Sequence, residues 1–385
     1  MGIPLFLIFA VYGVVNAYLP ILLFRLGYSA TIIGILQGVF EAAGLIFPIL
    51  FTSKVDRKGT YGSVMLFLGF LMLVVLPPLV LIHNFWVTAL VLAIFAIGFK
   101  GSVPVADALV SRMLGSNKTN YGKVRVLGSI GFVCMALLLQ FTPLINPEDP
   151  VSIAVWTGIP VLLFMLSIIV IPRLRKKYPA IKQNEGDSFS NAKGLAVLRE
   201  FPFSFWLGIS LIFLGFLGMT PSQRFFSLYV QEYLHLNCYA GLWALSAAAE
   251  VPFMFLSGRF IRKFGTEKIL LISLVAILIR NSVYAIFPTF GGAVAGQLFH
   301  SVCFGLFHPA AVVFITERVP KNRIAMGLTL YSSVAIGIAS VFGNVTGGII
   351  IDFLGYRMLF VLFSVFPLIS IALFYFFRDR LCNRI

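Results

Sequence analysis

The sequence predicts an all-α membrane protein of twelve transmembrane helices in two six-helix, pseudo-symmetric halves. Three observations predict it: a shortage of charge, a succession of apolar runs long enough to cross a bilayer, and a likeness between the two halves of the chain. Of the 385 residues, 59% are hydrophobic and 11% are charged, against about 25% charged in a soluble globular domain. A mean hydropathy of +0.99 leaves too little polar surface to cover a soluble fold. This excludes a soluble enzyme and a disordered chain. Four cysteines (Cys134, Cys238, Cys303 and Cys382) are scattered without a CxxC or a Cys/His cluster, so neither a disulfide framework nor a metal site is expected. Nothing in the chain calls for a cofactor.

A bilayer core about 30 Å thick needs roughly 20 apolar residues of helix. The first run, 3–25, has no basic leader and no small-residue cleavage site, so it is expected to be a retained span. The second, 29–53, begins after Gly27 and stops at the charged VDRKG (55–59). Runs three and four, 61–82 and 85–112, are separated by His83 and Asn84. The fourth ends at a basic stretch from Arg112 to Lys123. Runs 124–142 and 151–172 flank the turn-rich TPLINPEDP. After the polar stretch 173–203 come 204–229, 237–258, 267–286, 289–316, 325–351 and 356–377, each cut by charged or turn-rich residues.

Placement of the basic residues explains the net charge of +15. Nearly all of the 29 lysines and arginines fall in the loops on the N-terminal side, the central linker and the tail. The exceptions are Arg25 and Arg357 on the opposite side, and Lys100, Arg224 and Arg280 inside spans. By the positive-inside rule both termini are expected in the cytoplasm, with the chain in the inner cell membrane. The excess charge is thus topological, and no nucleic-acid partner is expected. The partners expected are a small-molecule substrate, protons and the lipid bilayer, with the chain acting as a monomer.

Six spans lie on each side of 173–203, and the halves resemble each other at an offset of about 206 residues: VDRKGTYGSVML (55–66) aligns with IRKFGTEKILLI (261–272), placing Gly59 against Gly265. The expected organisation is an N-terminal half (1–172), a cytoplasmic linker (173–203), a C-terminal half (204–378) and a tail (379–385).

A charged side chain at mid-membrane costs roughly 3 kcal/mol on insertion scales. Glu41, Lys100, Asp107, Arg224, Glu250 and Arg280 nevertheless lie inside or near the ends of spans, with His300 and His308 in the tenth. Such groups are expected to face a water-filled cavity or one another. Lys100 and Asp107 are seven residues apart, two turns, so they share a face of the fourth helix about 10 Å apart along its axis. A solute or a residue of another helix is needed to bridge them. Arg125 opens the fifth helix within YGKVRVLGSIGF (121–132), where Gly128 and Gly131 allow close packing, and the short turn before it returns Arg125 towards Asp107.

On these residues the chain resembles the lactose permease-like branch of the major facilitators, which holds oligosaccharide:proton symporters and phenylpropionate permeases. In that branch the arginine opening helix 5 pairs with an acidic residue eighteen positions earlier, which here is Asp107. The stretch Gly265–Cys303 resembles helices 9 and 10, with Arg280 on the family's helix-9 arginine and His300 on its helix-10 histidine. The resemblance implies that this pair belongs to the network coupling proton movement to substrate. Cys303 stands where the permease has a glutamate one turn after the histidine. Ala247 stands where it has a helix-8 glutamate, with Glu250 three residues on. Glu250, Asp107 or Glu41 is then left to take the proton, since an apolar site favours the neutral carboxyl. VDRKG (55–59) resembles the facilitators' G-x-x-x-D-R-x-G gating loop through Asp56, Arg57 and Gly59, with Thr52 replacing the first glycine.

The expected function is secondary active transport, a proton-coupled symport of a small organic solute by alternating access. Asp107, Arg125, Lys100 and Arg224 are expected to bind substrate. Glu250, Arg280, His300 and Glu41 are expected to couple protons. The excess of interior basic groups favours an organic or aromatic carboxylate, with a sugar or nucleoside next. An exporter exchanging drugs or metabolites for protons is the alternative, although 128–141 lacks the proline of the exporters' helix-5 glycine–proline motif. No HExxH, GxSxG or nucleotide loop supports a membrane enzyme.

Overall fold

In lipid every backbone polar group has to be satisfied within the chain, and a helix does this segment by segment. The computed structural model accordingly builds each apolar run as helix. It describes residues 2–114, 121–178, 201–320 and 323–381, without the side chains of 46–58 and 325. Six spans form the first half of the chain: α1 Ile3–Arg25, α2 Ala30–Lys58, α3 Tyr61–Leu81, α4 Phe85–Leu114, α5 Tyr121–Phe141 and α6 Pro150–Val170. Then follow α7 Phe203–Arg224, α8 Tyr239–Phe264, α9 Thr266–Ile286 and α10 Phe290–Thr316. The last two spans share the helical run Met326–Phe376, which breaks at Gly355 (φ 80°, ψ 173°) into α11 before it and α12 after it. Among the described residues this is a multi-pass, all-helical membrane protein with twelve spans, as the sequence predicts.

Helix ends differ from the sequence reading where charge was taken as a stop. α8 runs on through Arg259, Arg262 and Lys263 to Phe264, and α2 includes residues 55–58 of the motif read as a loop. Charged side chains do not interrupt the i→i−4 bonds, so a helix can continue past the lipid. Genuine ends carry local signals. Asp149 accepts from Val151 N and Ser152 N at the start of α6, and Thr289 accepts from Gly292 N at the start of α10. Four of the described spans are interrupted: α3 breaks at Val75, α10 loosens at Phe304–Leu306, α11 contains a π-helical stretch, Tyr331–Ile338, and α12 breaks at Ser364.

The described chain divides into two compact units. Among the described residues, the first holds those up to 178 together with Val230–Ala244, and the second holds the remainder. Within the first unit, α1 packs on α5 and α6, α2 on α4, and α3 on α4 and α6. Within the second, α7 packs on α11 and α12, and α9 on α10 and α12. The pairings of α1 and α3 recur at the corresponding positions in α7 and α9. The repeat also extends to the turns: Gly59 and Gly265, aligned by sequence, both have positive φ, 65° and 84°. Such φ values exclude most side chains, so glycine at both turns is dictated by backbone geometry. Each is followed by a helix whose first turn meets an arginine at or just past the end of the next span, Arg112 Nε to Tyr61 OH at 3.2 Å and Arg318 Nη2 to Glu267 Oε1.

Beside an apolar core, large apolar side chains are also exposed and a few polar ones are buried. Phe67, Trp86, Phe141, Phe255, Phe353 and Phe376 are exposed, as suits lipid contact. Gln37, Glu41, Arg280, Asn281, Gln297, His300 and Asn344 are buried. Each buried polar group needs a partner, and those partners outline the candidate site.

Candidate functional site

Two groups of charged side chains lie in the first unit. Glu41 on α2 is buried, and Lys100 on α4 places Nζ 3.1 Å from its Oε1 and donates to Oε2 at 3.3 Å. Gly44, one turn after Glu41, leaves room for the Lys100 stem, and the ammonium lies 5.7 Å from the Phe40 ring. Lys100 is therefore turned onto α2 rather than bridged to Asp107. The sequence placed both on one face of α4, but α2 supplies the counter-ion.

The second group is Asp107 on α4 and Arg125 at the start of α5, with Arg125 Nε 3.7 Å from Asp107 Oδ1 and both side chains about one-third exposed. Tyr121 joins the pair through its hydroxyl. The short connection does bring Arg125 back to Asp107, as the spacing predicts. The guanidinium lies 4.2 Å from the centroid of Phe9 on α1. Gly128 makes this stacking possible, since a Cβ there would meet both Arg125 Nη1 and the Phe9 ring at 2.9 Å. From Phe9 an aromatic row continues through Tyr12 (5.2 Å) to Phe99 (3.8 Å) and Phe40 (5.7 Å). Arg125 and Lys100 thus sit at opposite ends of one aromatic row. Periodicity within single helices could not reveal this row, because its members come from α1, α2 and α4.

In the second unit, Glu250 (α8), Arg280 (α9) and His300 (α10) form a continuous chain. Glu250 Oε2 lies 3.3 Å from His300 Nε2, and His300 Nδ1 lies 3.1 Å from Arg280 Nη1. Arg280 also donates through Nη2 to Gln297 Oε1 at 2.7 Å and through Nε to the Tyr284 hydroxyl at 3.3 Å. It is 1% exposed. An arginine can only donate, so His300 Nδ1 has to accept. The imidazole then carries its proton on Nε2 and presents it to Glu250. A neutral histidine therefore separates a buried cation from a carboxylate. Gln297 and Tyr284, one turn from His300 and Arg280 respectively, were not singled out from the sequence. The signal available was their i±3 and i+4 spacing from the two charged residues.

Glu250 packs against the interruption in α10, where a Cβ on Gly305 would lie 3.1 Å from its Cγ. Below it, Phe304 stacks between His300 and His308, and His308 Nδ1 is 2.6 Å from the Tyr331 hydroxyl on the π-helical part of α11. Cys303 is fully buried on α10. Arg224 is the last residue of α7 and is half-buried, away from the interior of its span. Gly59 occupies its turn with its carbonyl accepting from Tyr178 N at 3.1 Å. The side chains of Asp56 and Arg57 lie outside the described residues.

The family model described as "MFS_1 like family" matches residues 1–362. The "Probable 3-phenylpropionic acid transporter" of Escherichia coli is 25% identical over 369 residues, 94% of this chain and 93% of that protein. The "Uncharacterized transporter YwbF" of Bacillus subtilis is 26% identical over 286 residues, 74% and 68% of the two chains. Among solved structures, a variant of the nucleoside transporter NupG superposes with a TM-score of 0.85 at 17% identity over 98% of both chains. A bacterial homologue of the lysosomal transporter Spinster superposes with a TM-score of 0.71 at 17% identity, covering 97% and 95%. These two structures establish a shared fold. With its twelve-helix architecture and a family match over residues 1–362, this chain belongs to the MFS_1-like family of major facilitator transporters and is not an enzyme.

Proposed function

We propose that this protein is a proton-coupled importer of a small organic solute, working by alternating access. The observation that carries the reading is the chain Glu250–His300–Arg280. Glu250 is a carboxylate inside a span, held by one hydrogen bond and opposed across an imidazole to a buried cation. Neutralising it removes Arg280's nearest counter-charge along this chain, so its protonation is tied to the packing of α8, α9 and α10. Such a group is suited to take up a proton in one state and release it in another. Arg280, His300 and Glu250 are the coupling residues, with Glu41 as a second carboxylate tied to Lys100.

Asp107 and Arg125 are the substrate-binding pair, with Lys100 at the far end of the aromatic row and Arg224 at the end of α7. Gly59, with Asp56 and Arg57, serves the gate. The moving bodies are the halves 1–172 and 204–378, joined by the linker 173–203. The chain works as a monomer in the inner cell membrane with both termini in the cytoplasm. The named relatives, transporters of phenylpropionic acid, maltose and nucleosides, support a small organic solute as cargo.

The reading is tested by uptake into energised vesicles. A protonophore should abolish accumulation of the substrate. Uptake that is indifferent both to protonophore and to external pH would exclude proton coupling and leave facilitated diffusion.

A further inference from the structure

On α10 the rings of His300, Phe304 and His308 form one column, with interplanar angles of 6° and 7° and centroids 5.6 and 5.5 Å apart. The two histidines are not equivalent, because their Nδ1 partners differ. Arg280 offers no lone pair, so His300 Nδ1 has to accept from it and Nε2 carries the proton. A second proton would set an imidazolium N–H against the guanidinium of a residue only 1% exposed, two cations in contact away from water. His300 is therefore a fixed, neutral donor to Glu250.

His308 is built differently. Its Nδ1 lies 2.6 Å from the Tyr331 hydroxyl, and a hydroxyl can accept as well as donate. Accepting from Nδ1–H leaves the lone pair on Nε2, which makes no hydrogen bond among the described residues. That nitrogen can take a second proton without disturbing the contact to Tyr331. Glu250 stands where it can supply one. Its Oε2 is held by His300, its Cγ would lie 3.1 Å from a Cβ on Gly305, and Gly305 is one turn before His308. The charge of Arg280 acts on His300, whereas that of Glu250 acts on both histidines. Around His308 the titratable groups are thus Glu250 of α8 and Tyr331 of α11; α7 and α9 meet this part of α10 through Phe216 and Leu274.

We propose that Glu250 and His308 share one proton, with His300 as the neutral positioning residue that holds the carboxylate. In the step, the Oε1–H bond of the Glu250 carboxyl breaks and an N–H bond forms at His308 Nε2. Glu250 is left as a carboxylate on His300 Nε2–H, and the His308 imidazolium then gives its Nε2 proton to water. This deepens the transport reading and rests on it for the direction of flow. In that reading α10 ends at the cytoplasm, and His308, eight residues on, lies about 12 Å nearer to it than His300.

The test is nitrogen NMR of the full-length protein in nanodiscs with isotope-labelled histidines, which distinguishes imidazolium from each neutral tautomer and needs no substrate. Of the four histidines, His83 and His235 are exposed and serve as controls. Across about pH 5 to 8, where an imidazole ordinarily changes charge, His308 should gain a second proton. Over the same range His300 should stay neutral with its proton on Nε2. Glu250→Gln should make His308 require about tenfold more acid to charge, by removing the facing negative group. Tyr331→Phe, which removes the acceptor for Nδ1–H, should act in the same direction. A wild-type His300 that takes the charge, or a His308 that stays neutral throughout, overturns the proposal. So does a His308 transition that Glu250→Gln leaves in place. The wild-type spectra decide the first point alone, so misfolding of a variant does not rescue it. If His308 behaves as expected but Glu250→Gln still accumulates solute against a gradient, the shared proton stands and coupling through it falls.

Discussion

Glu250→Gln separates binding from coupling. Glutamine keeps the size of the side chain and an acceptor oxygen for His300 Nε2, which lies 3.3 Å away in the wild type. The change therefore removes charge and the capacity to lose a proton, with little change in shape. Glu250 and Arg280 are joined by contacts of 3.3 and 3.1 Å through the imidazole. Adding the ring's width places the charges about 8 Å apart, an attraction of about 2 kcal/mol at an effective dielectric of about 20. A loss of that size leaves a folded protein. Transport should change in kind: a symporter of one proton accumulates substrate about tenfold per unit of inward pH gradient, or about 1.4 kcal/mol. The variant should fall to a ratio near one. Counterflow, which exchanges labelled for unlabelled substrate with no net proton movement, should proceed at a rate close to wild type. The assay is uptake and counterflow of the transported solute in proteoliposomes with an imposed pH gradient. Wild-type accumulation by Glu250→Gln would refute the assignment and move the proton to Glu41 or Asp107.

Substitution of Asp107 by Ala, or of Arg125 by Ala, should abolish substrate binding while expression and thermal unfolding in detergent stay near wild type; normal binding by both would make the pair structural. Lys100→Met alone should destabilise the protein by about 2–3 kcal/mol, below the 3–5 of a fully buried pair because part of the lysine is exposed. Adding Glu41→Gln should recover most of that loss, as read by thermal unfolding, and additive losses would show that the two charges are independent. Gly59→Ala should lower stability more than Gly265→Ala: both force a positive φ, at about 1–2 kcal/mol, but only Gly59 faces the backbone of Tyr178, whereas Gly265 has Glu267 Oε2 at 3.5 Å. If one proton accompanies each carboxylate, uptake is electroneutral. A membrane potential imposed without a pH gradient should then leave the accumulation ratio of a carboxylate substrate near one, and potential-driven accumulation would require a second cation.

Much of the fold could be read from the chain because lipid makes the rule strict. A run without charge has to satisfy its own backbone, and helix is the local way to do so. The half-chain repeat was also visible, and the positive φ of Gly59 and Gly265 gives it a structural basis. Helix ends were less legible: Arg259, Arg262 and Lys263 read as a break, but α8 passes through them. The π-helical stretch in α11 and the loosened turn at Phe304–Leu306 left no signal in composition.

The candidate site was legible as residues and not as pairs. Charge inside a hydrophobic span, with its insertion cost of several kcal/mol, pointed to Glu41, Lys100, Asp107, Glu250, Arg280 and His300 without any structure. Spacing along a helix also gave Lys100 and Asp107 a common face. Which partner each one meets depends on the rotation and crossing of helices far apart in sequence, a sum of many packing contacts to which no single segment holds the answer. The tertiary structure alone turned Lys100 onto Glu41, closed all three donor nitrogens of Arg280 over His300, Gln297 and Tyr284, and stacked the guanidinium of Arg125 on Phe9. The sequence by itself determined that this is a membrane helix bundle with a few charges retained inside it. Packing between helices decided which partner each of those charges meets.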